Sequence, residues 1–338
     1  MSIGENVSLK PFNTFGIDAK ARFFSTFSSR EELLDLLSDK SFQNLPKLVL
    51  GGGSNILFTK DFNGVVLKNE IPGITVESED ETGWKVKAGA GTNWNDFVTY
   101  CISNGYAGVE NLSLIPGNVG AAPIQNIGAY GVEVKDSFHE LEAVDIASGE
   151  LLKFNNSDCK FGYRDSIFKQ SYKGKLVITS VTFSLFRNPD FRITYGAIEQ
   201  ELRKMGIEKL SIKAIGDAVC SIRRSKLPDP VKIGNAGSFF KNPEVDADTF
   251  TNIKSTNLSA VGYELPNGNF KLAAGWLIEQ CGWKGKVVGN TGSHKDQALV
   301  LVNYGNASGN EILDLAHAIQ ASVKDRFGVT IEPEVNVM

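Results

Sequence analysis

The chain is poor in the residues that metal and thiol chemistry require. Among 338 residues there are three histidines (His139, His294, His317) and four cysteines. The histidines follow no H-E-x-x-H or comparable ligand spacing, so no metal is expected. Cys101, Cys159, Cys220 and Cys281 lie 58, 61 and 61 residues apart, which excludes C-x-x-C pairs and a dense disulfide framework and fits four reduced thiols. Positive charge is also in short supply. A formal net charge of -4 and a pI near 5.6 leave no basic face for general binding to nucleic acid or anionic membrane. No apolar run reaches the length of a bilayer span, and MSIGENVSLKPFNTFGID lacks the basic-then-apolar order of a secretion signal. The expectation is a soluble, cytoplasmic chain, 42% hydrophobic and 22% charged, long enough for about two domains.

Two nucleotide signatures are missing as well. No G-x-x-x-x-G-K-[ST] string occurs, which excludes a P-loop. The turn Gly51-Gly52-Gly53-Ser54-Asn55 follows the strand-like KLVL, but Ile56 stands where a dinucleotide fingerprint needs its third glycine, and another apolar run follows instead of a helix. What the chain does have is an uncharged stretch between Glu110 and Glu133, NLSLIPGNVGAAPIQNIGAYGV, with Pro116, Gly117, Gly120, Pro123, Gly128 and Gly131 breaking every periodicity. A loop of that length in a compact domain is usually functional. It reads either as a ligand cradle or as a buried Gly/Ala packing turn. In a cradle, glycines would let backbone N–H groups approach an anion, and Ala121 and Ala122 would leave room for a flat ring.

Apolar spacing predicts a helix over 30–38 capped by Ser28 or Ser29, a helix over 94–103 closed by Gly105, and strands through 84–88 and 175–187. Up to about residue 212 strands outnumber helices without regular alternation, so an α+β fold is expected and a doubly wound parallel sheet is not. A second unit is expected from about Ala214, with helices over 215–224, 271–281 and 308–327, the last opened by a Ser308/Glu311 capping box.

Four places could carry chemistry. IRRSKLPDPVKIGNAGSFFKNP gathers Arg223, Arg224, Lys226, Lys232 and Lys241 beside an Asn/Gly/Ser turn, suited to a phosphorylated ligand or else a solvated basic face. Ser238, followed by two phenylalanines, is either a shielded proton donor or a turn cap. Arg164, among Phe161, Tyr163 and Phe168, could be held rigid for a carboxylate or pair locally with Asp165. Glu334, on an alternating TIEPEVNVM segment whose proline allows only an edge strand or bulge, points into a cleft or to solvent.

The ordered set LGGGSN (50–55), ENLSLIPGNVGAAPIQNIGAYGVEV (110–134), FGYRDSIFK (161–169), SKLPDP and GNAGSFFKNP (225–243), LAAGWLIEQCG (272–282) and EPEV (332–335) resembles the UDP-N-acetylenolpyruvoylglucosamine reductase family across nearly the whole chain. TYG at 194–196 resembles its longer subclass, which closes a tyrosine-bearing loop over the substrate. The resemblance implies an α+β fold with a two-lobed FAD-binding portion of the vanillyl-alcohol-oxidase type over 1–212, lobes at about 1–70 and 71–212. The strand 329–338 would return to the first lobe, and a substrate-binding domain would span 213–328. It implies noncovalent FAD, NADPH as co-substrate and a UDP-sugar substrate in peptidoglycan precursor synthesis; a monomer is expected. Rival readings are an FAD-dependent sugar or alcohol oxidase and a noncatalytic UDP-sugar-binding protein.

Position by position, the resemblance implies cofactor contacts from Gly51, Gly52, Gly53, Ser54, Asn55, Pro116, Gly117, Gly120, Ala121, Gln125, Asn126, Gly128 and Ala129. It implies substrate contacts from Tyr195, Lys226, Asn242, Tyr263, Lys284 and Gln297. Ser238 resembles the proton donor, Glu334 the catalytic carboxyl and Arg164 the residue beside the substrate carboxylate. One departure is Asn336, which stands where the family usually carries arginine two residues after the glutamate.

Overall fold

In the computed structural model, which describes residues 2–338, the chain passes repeatedly between two units. The first holds the N-terminal residues through Val7, Ala21–Gly53 and Phe62–Ser225. The second holds Ser8–Lys20, Ser54–Asp61 and Lys226–Met338.

The first unit is built on two sheets. One has the order Gly4–Ser8, Lys20–Phe27, Phe62–Asn69, Lys47–Leu50, with the last three strands parallel. A parallel pair needs a crossover, which the helix Arg30–Ser38 supplies. Ser29 caps it by accepting the Glu32 N–H, and Leu33 and Leu36 bury against Phe27, Phe42, Val65 and Leu67. The other sheet is antiparallel, ordered Leu151–Asn155, Phe138–Asp145, Leu176–Phe186, Gly83–Gly89, Ile74–Glu79. Its central strand Leu176–Phe186 is buried without a break from Val177 to Phe183, so alternation in the sequence understates how enclosed it is. The helix Trp94–Ser103 packs there through Trp94 and Phe97, whose rings meet Phe183. Two thiols lie in this core; burial pushes Cys159 up to about 12 and raises Cys101 as well.

The boundary between units falls after Ser225 instead of near 212. The reason is hydrophobic: the helix Ile212–Lys226 lays Ala214, Ile215, Ala218, Val219 and Ile222 on Ile198 and Leu202 of the helix Ile198–Lys204. Most of the expected second-domain helix therefore belongs to the first unit.

The second unit contains a sheet ordered Gly234–Ser238, Val300–Asn303, Thr291–Ser293, Val287–Val288, and a smaller one ordered Glu244–Val245, Phe270–Leu272, Gly262–Glu264. The helix expected over 271–281 is shorter. Phe270–Leu272 is a strand paired with Gly262–Glu264, and the helix Ala274–Gln280 starts after an extended Ala273, its first N–H accepted by Asn242 Oδ1. The C-terminal strand Asn336–Val337 pairs in parallel with Ile56–Leu57. Those partners lie within the sequence span of the expected first lobe but belong to the second unit.

The long helix Gly309–Phe327 opens with the expected capping box, Ser308 accepting the Glu311 N–H and Glu311 the Ser308 N–H. A Cβ at Gly309 would lie 1.8 Å from the Phe58 carbonyl oxygen, so glycine is required by backbone contact. Ser308→Ala should cost about 1 kcal/mol of stability. Gly309→Ala should cost more, although alanine is the better helix former; equal or greater stability of that variant in denaturant melts would refute the contact.

Glu142, on the central antiparallel sheet, opposes both Lys153 and Ser180. Burial alone would raise its pKa, but hydrogen bonds from Lys87, Lys153 and Ser180 hold the carboxyl down to about 2 from 4.5. Because the folded value lies below the unfolded one, this stabilisation is present above pH 4.5 and is lost as pH falls toward 2. Glu142→Gln should flatten the stability profile across that window. Acid-unfolding slopes identical to those of the wild type would remove Glu142 from this role.

Candidate active site

In the first unit, the glycine-lined loop is an ordered shelf. Its first arm is tied to the turn before the helix Trp94–Ser103 by main-chain bonds: Val119 N–H to Thr92 O, Gly120 N–H to Ala90 O and Trp94 N–H to Gly117 O, each 2.9 Å. The Asn118 amide also donates to Gly91 O. A Cβ at Gly120 would fall 2.5 Å from Ala90 Cβ. One at Gly52 would fall 2.9 Å from Gly117 Cα and 2.8 Å from Asn118 Oδ1. The two glycine segments expected to share a role, 51–53 and 116–121, therefore meet backbone to backbone, and only glycine permits it. Gly52, Pro116 and Ala121 are exposed on this shelf, whereas Gly120 is buried within it.

The second arm of the loop holds Arg164. Its Nη2 donates to Gly128 O at 2.6 Å and Nη1 to Asn126 O at 3.4 Å. Nη1 lies 4.0 Å from Glu133 Oε1, and the guanidinium sits 5.2 Å from the Tyr163 ring centroid. Lys169 Nζ donates to the Arg164 carbonyl, whose residue has a left-handed φ of 52°. A Cβ at Gly128 would meet Nη1 at 2.9 Å, so this glycine makes room for the cation. Asn126 is fully buried. Its amide donates to Glu133 Oε2 and Gly162 O and accepts from Lys135 N–H, tying the Arg164 turn to the loop. Glu133 and Asn118 were not singled out in the sequence; their signal was polarity at the edge of, or inside, an otherwise glycine-rich run.

In the second unit, Ser238 ends the strand Gly234–Ser238, whose register slips between Asn235 and Ser238. The turn is organised by Asn235, not by the serine: its buried side chain donates to Pro228 O and Ile233 O and accepts the Gly237 N–H. The capping bonds of this turn thus come from Asn235. Phe239 and Phe240 beyond it are fully buried and in ring contact, with Phe15 against Phe239. The C-terminal segment runs alongside: Phe240 bridges Pro333, Glu334 N–H donates to Phe239 O at 2.7 Å and Lys241 N–H to Glu332 O at 2.9 Å. The main chains of Ser238 and Glu334, nearly a hundred residues apart, thus lie on adjoining segments. Glu334 is further fixed through Asn55, whose amide donates to its carbonyl. Asn336 donates to the Asn55 carbonyl from both main-chain and side-chain nitrogens, at 3.1 and 3.0 Å, so the residue that replaces the expected arginine acts as a short tie.

Of the residues expected to meet substrate, Lys226, Asn242, Tyr263, Lys284 and Gln297 belong to the second unit and Tyr195 to the first. Lys226 and Tyr263 are exposed. Lys284 pairs with Glu279 at 3.0 Å, Asn242 opens the helix Ala274–Gln280, and Gln297 accepts the Leu299 N–H. The basic run over 222–243 does not act as one patch. Arg223 turns inward, donating to Leu114 O, and burial lowers its pKa.

Residues 229–338 match the family model described as UDP-N-acetylenolpyruvoylglucosamine reductase, C-terminal domain, and residues 21–155 match the model of an FAD binding domain. Over 338 residues the chain is 52% identical to the UDP-N-acetylenolpyruvoylglucosamine reductase of Amoebophilus asiaticus, with all of both chains covered. It is 50% identical over 336 residues to the protein of that name in Burkholderia mallei, covering 99% of this chain and 97% of that one. The crystal structure of UDP-N-acetylenolpyruvylglucosamine reductase from Thermus caldophilus superposes with a TM-score of 0.68 at 24% identity, covering 100% of this chain and 99% of the other. That likeness is one of fold.

The shelf fits FAD: uncharged, rigid, and walled by glycines whose missing side chains let a large flat anionic group lie against backbone. Among the described residues no helix is long and apolar enough to cross a membrane. Gly52→Ala should separate the two glycine segments and weaken FAD binding at least tenfold. Gly174→Ala, in the same unit, has open space at its Cβ but a left-handed φ of 71°, so it should cost stability through backbone strain yet retain flavin. Titration of the two apoproteins with FAD checks this, and unchanged affinity in Gly52→Ala would refute the shelf as the flavin seat.

Proposed function

The chain belongs to the UDP-N-acetylenolpyruvoylglucosamine reductase family, and from that premise we propose that it reduces UDP-N-acetylglucosamine enolpyruvate to UDP-N-acetylmuramate, a peptidoglycan precursor, with NADPH as the electron source. The chemistry supplied by bound FAD is a two-electron relay in which hydride from NADPH is delivered to the methylene carbon of the enol ether. The remaining work falls to side chains. Hydride addition at that carbon leaves negative charge on its neighbour and on the attached carboxylate, and a fixed guanidinium stabilises such charge without reorganising. Arg164 is proposed for this role, supported by its anchorage to Gly128, Asn126 and Glu133.

Ser238 is proposed to deliver the proton to the charged carbon, completing the reduction. The observation that carries this reading is the adjoining of the Ser238 and Glu334 segments through the Glu334 N–H to Phe239 O bond. It supports the pairing because the main chains that carry this hydroxyl and this carboxyl group, distant in sequence, run side by side. Glu334 assists only in its protonated form, as a hydrogen-bond donor to the same developing charge. A lone serine is a weak acid at neutral pH, so its proton must be replenished through a relay, for which Lys226 or water is proposed. Tyr195, Asn242, Tyr263, Lys284 and Gln297 are assigned to binding the UDP-sugar, and NADPH is taken to use the same site before the sugar nucleotide arrives.

Anaerobic reduction by NADPH followed by addition of UDP-N-acetylglucosamine enolpyruvate tests the assignment. Flavin that is reduced but not reoxidised by this substrate would refute it. Ser238→Ala should leave the first half-reaction intact and slow the second by about 10²- to 10⁴-fold, the usual contribution of a positioned general acid. Normal reoxidation in that variant would remove Ser238 from the mechanism.

A further inference from the structure

Asn111 lies inside the 3-10 turn Glu110–Leu112 and is 2% exposed. No part of the reaction as outlined uses it. Its amide nitrogen donates to two carbonyls that belong to different segments of the first unit: Tyr130 O at 3.1 Å and Arg192 O at 2.7 Å. Tyr130 is on the glycine-lined loop, in a left-handed conformation with φ of 50°. Arg192 is three residues ahead of Tyr195 on the tyrosine-bearing segment. A buried amide that reaches both strips of chain fixes their separation.

Two close contacts complete the junction. Tyr195 Cβ lies 3.1 Å from where a Cβ on Gly131 would stand, and the Tyr130 ring lies 3.4 Å from where one on Gly196 would stand. Each aromatic residue thus faces the other's neighbouring glycine. Phe191 and Ile193, flanking Arg192, pack with Tyr130 on the hydrophobic cluster around Ile198 and Ile215. Tyr195 itself remains 47% exposed, so its root is clasped while the residue stays accessible to a ligand.

We propose that Asn111 is a positioning residue for Tyr195, holding the tyrosine-bearing segment against the flavin loop so that Tyr195 is presented to the UDP-sugar at a set place. This rests on the reading of Tyr195 as a substrate contact. Removing the amide donors takes this shared partner from two part-buried carbonyls and frees the segment to sample other positions. Substrate binding then carries the cost of ordering it.

The test is a double-mutant cycle on the FAD-loaded enzyme, with KM for UDP-N-acetylglucosamine enolpyruvate as readout and the rate of flavin reduction by NADPH as control. Asn111→Leu, close in size but without donors, should raise KM about tenfold, on the order of what one or two hydrogen bonds hold in place, with the reduction rate unchanged. In a Tyr195→Ala background the same substitution should add little, because both changes act through one contact. Gly196→Ala, at an exposed position with a left-handed φ of 75°, strains the same segment and crowds the Tyr130 ring; it should also raise KM and serves where Asn111→Leu does not fold. Additive effects of Asn111→Leu and Tyr195→Ala, or an unchanged KM in both Asn111→Leu and Gly196→Ala, would overturn the proposal. An unchanged KM in Tyr195→Ala alone would instead overturn the substrate reading on which it stands.

Discussion

The first unit depends on how closely two stretches of backbone approach. Where Gly52 meets Gly117 and where Gly120 meets Ala90, there is no room for a single carbon beyond the main chain. The main-chain bonds from 117–120 to 90–94 then hold the loop in register. From that seam the loop runs on to Asn126 and Gly128, whose carbonyls fix Arg164. Its far end, through Tyr130, reaches the segment that carries Tyr195. A loss of contact at the glycines would be passed along the loop to the carbonyls that hold the Arg164 guanidinium.

The second unit solves a different problem, bringing a serine and a glutamate nearly a hundred residues apart into register. Side-chain amides do much of this: buried Asn235 shapes the turn before Ser238, and Asn55 and the exposed Asn336 fasten the C-terminal segment. Asparagine suits the task because one side chain both donates and accepts and can mimic a peptide. Asn118, Asn126 and Asn111 act similarly in the first unit. In each case the asparagine, and not the neighbouring candidate side chain, makes the bonds that shape the local main chain, most plainly where Asn235 organises the turn before Ser238.

Much of this was legible in the sequence where local signals are strong. The Ser29 and Ser308 caps, the helices Arg30–Ser38 and Trp94–Ser103, and the central strand were marked by spacing and punctuation. Lys271 and Leu272 were misread as helical because their apolar spacing continues into the true helix. Their partner strand, Gly262–Glu264, is visible only in three dimensions. The sequence does not mark which unit the helix Ile212–Lys226 joins, because its apolar face does not announce which neighbour it will cover. At the site, residue types and order pointed to Arg164, Ser238 and Glu334, while Glu133, Asn111 and Asn235 went unnoticed. Their importance lies in which carbonyl or carboxyl group they reach, and a linear pattern does not encode that.

The interleaved path of the chain also bears on how it is made. The second unit includes 8–20 and 54–61 as well as everything from Lys226 onward. During synthesis these early segments, with Phe15, Leu57 and Phe58 destined for full burial, leave the ribosome long before the residues that will cover them. Until Met338, whose carbonyl accepts the Thr59 N–H, has been added, their final partners do not all exist. The C-terminal part is therefore not a cassette that can be excised or transplanted at residue 226, and the nascent chain carries exposed apolar surface for most of its translation.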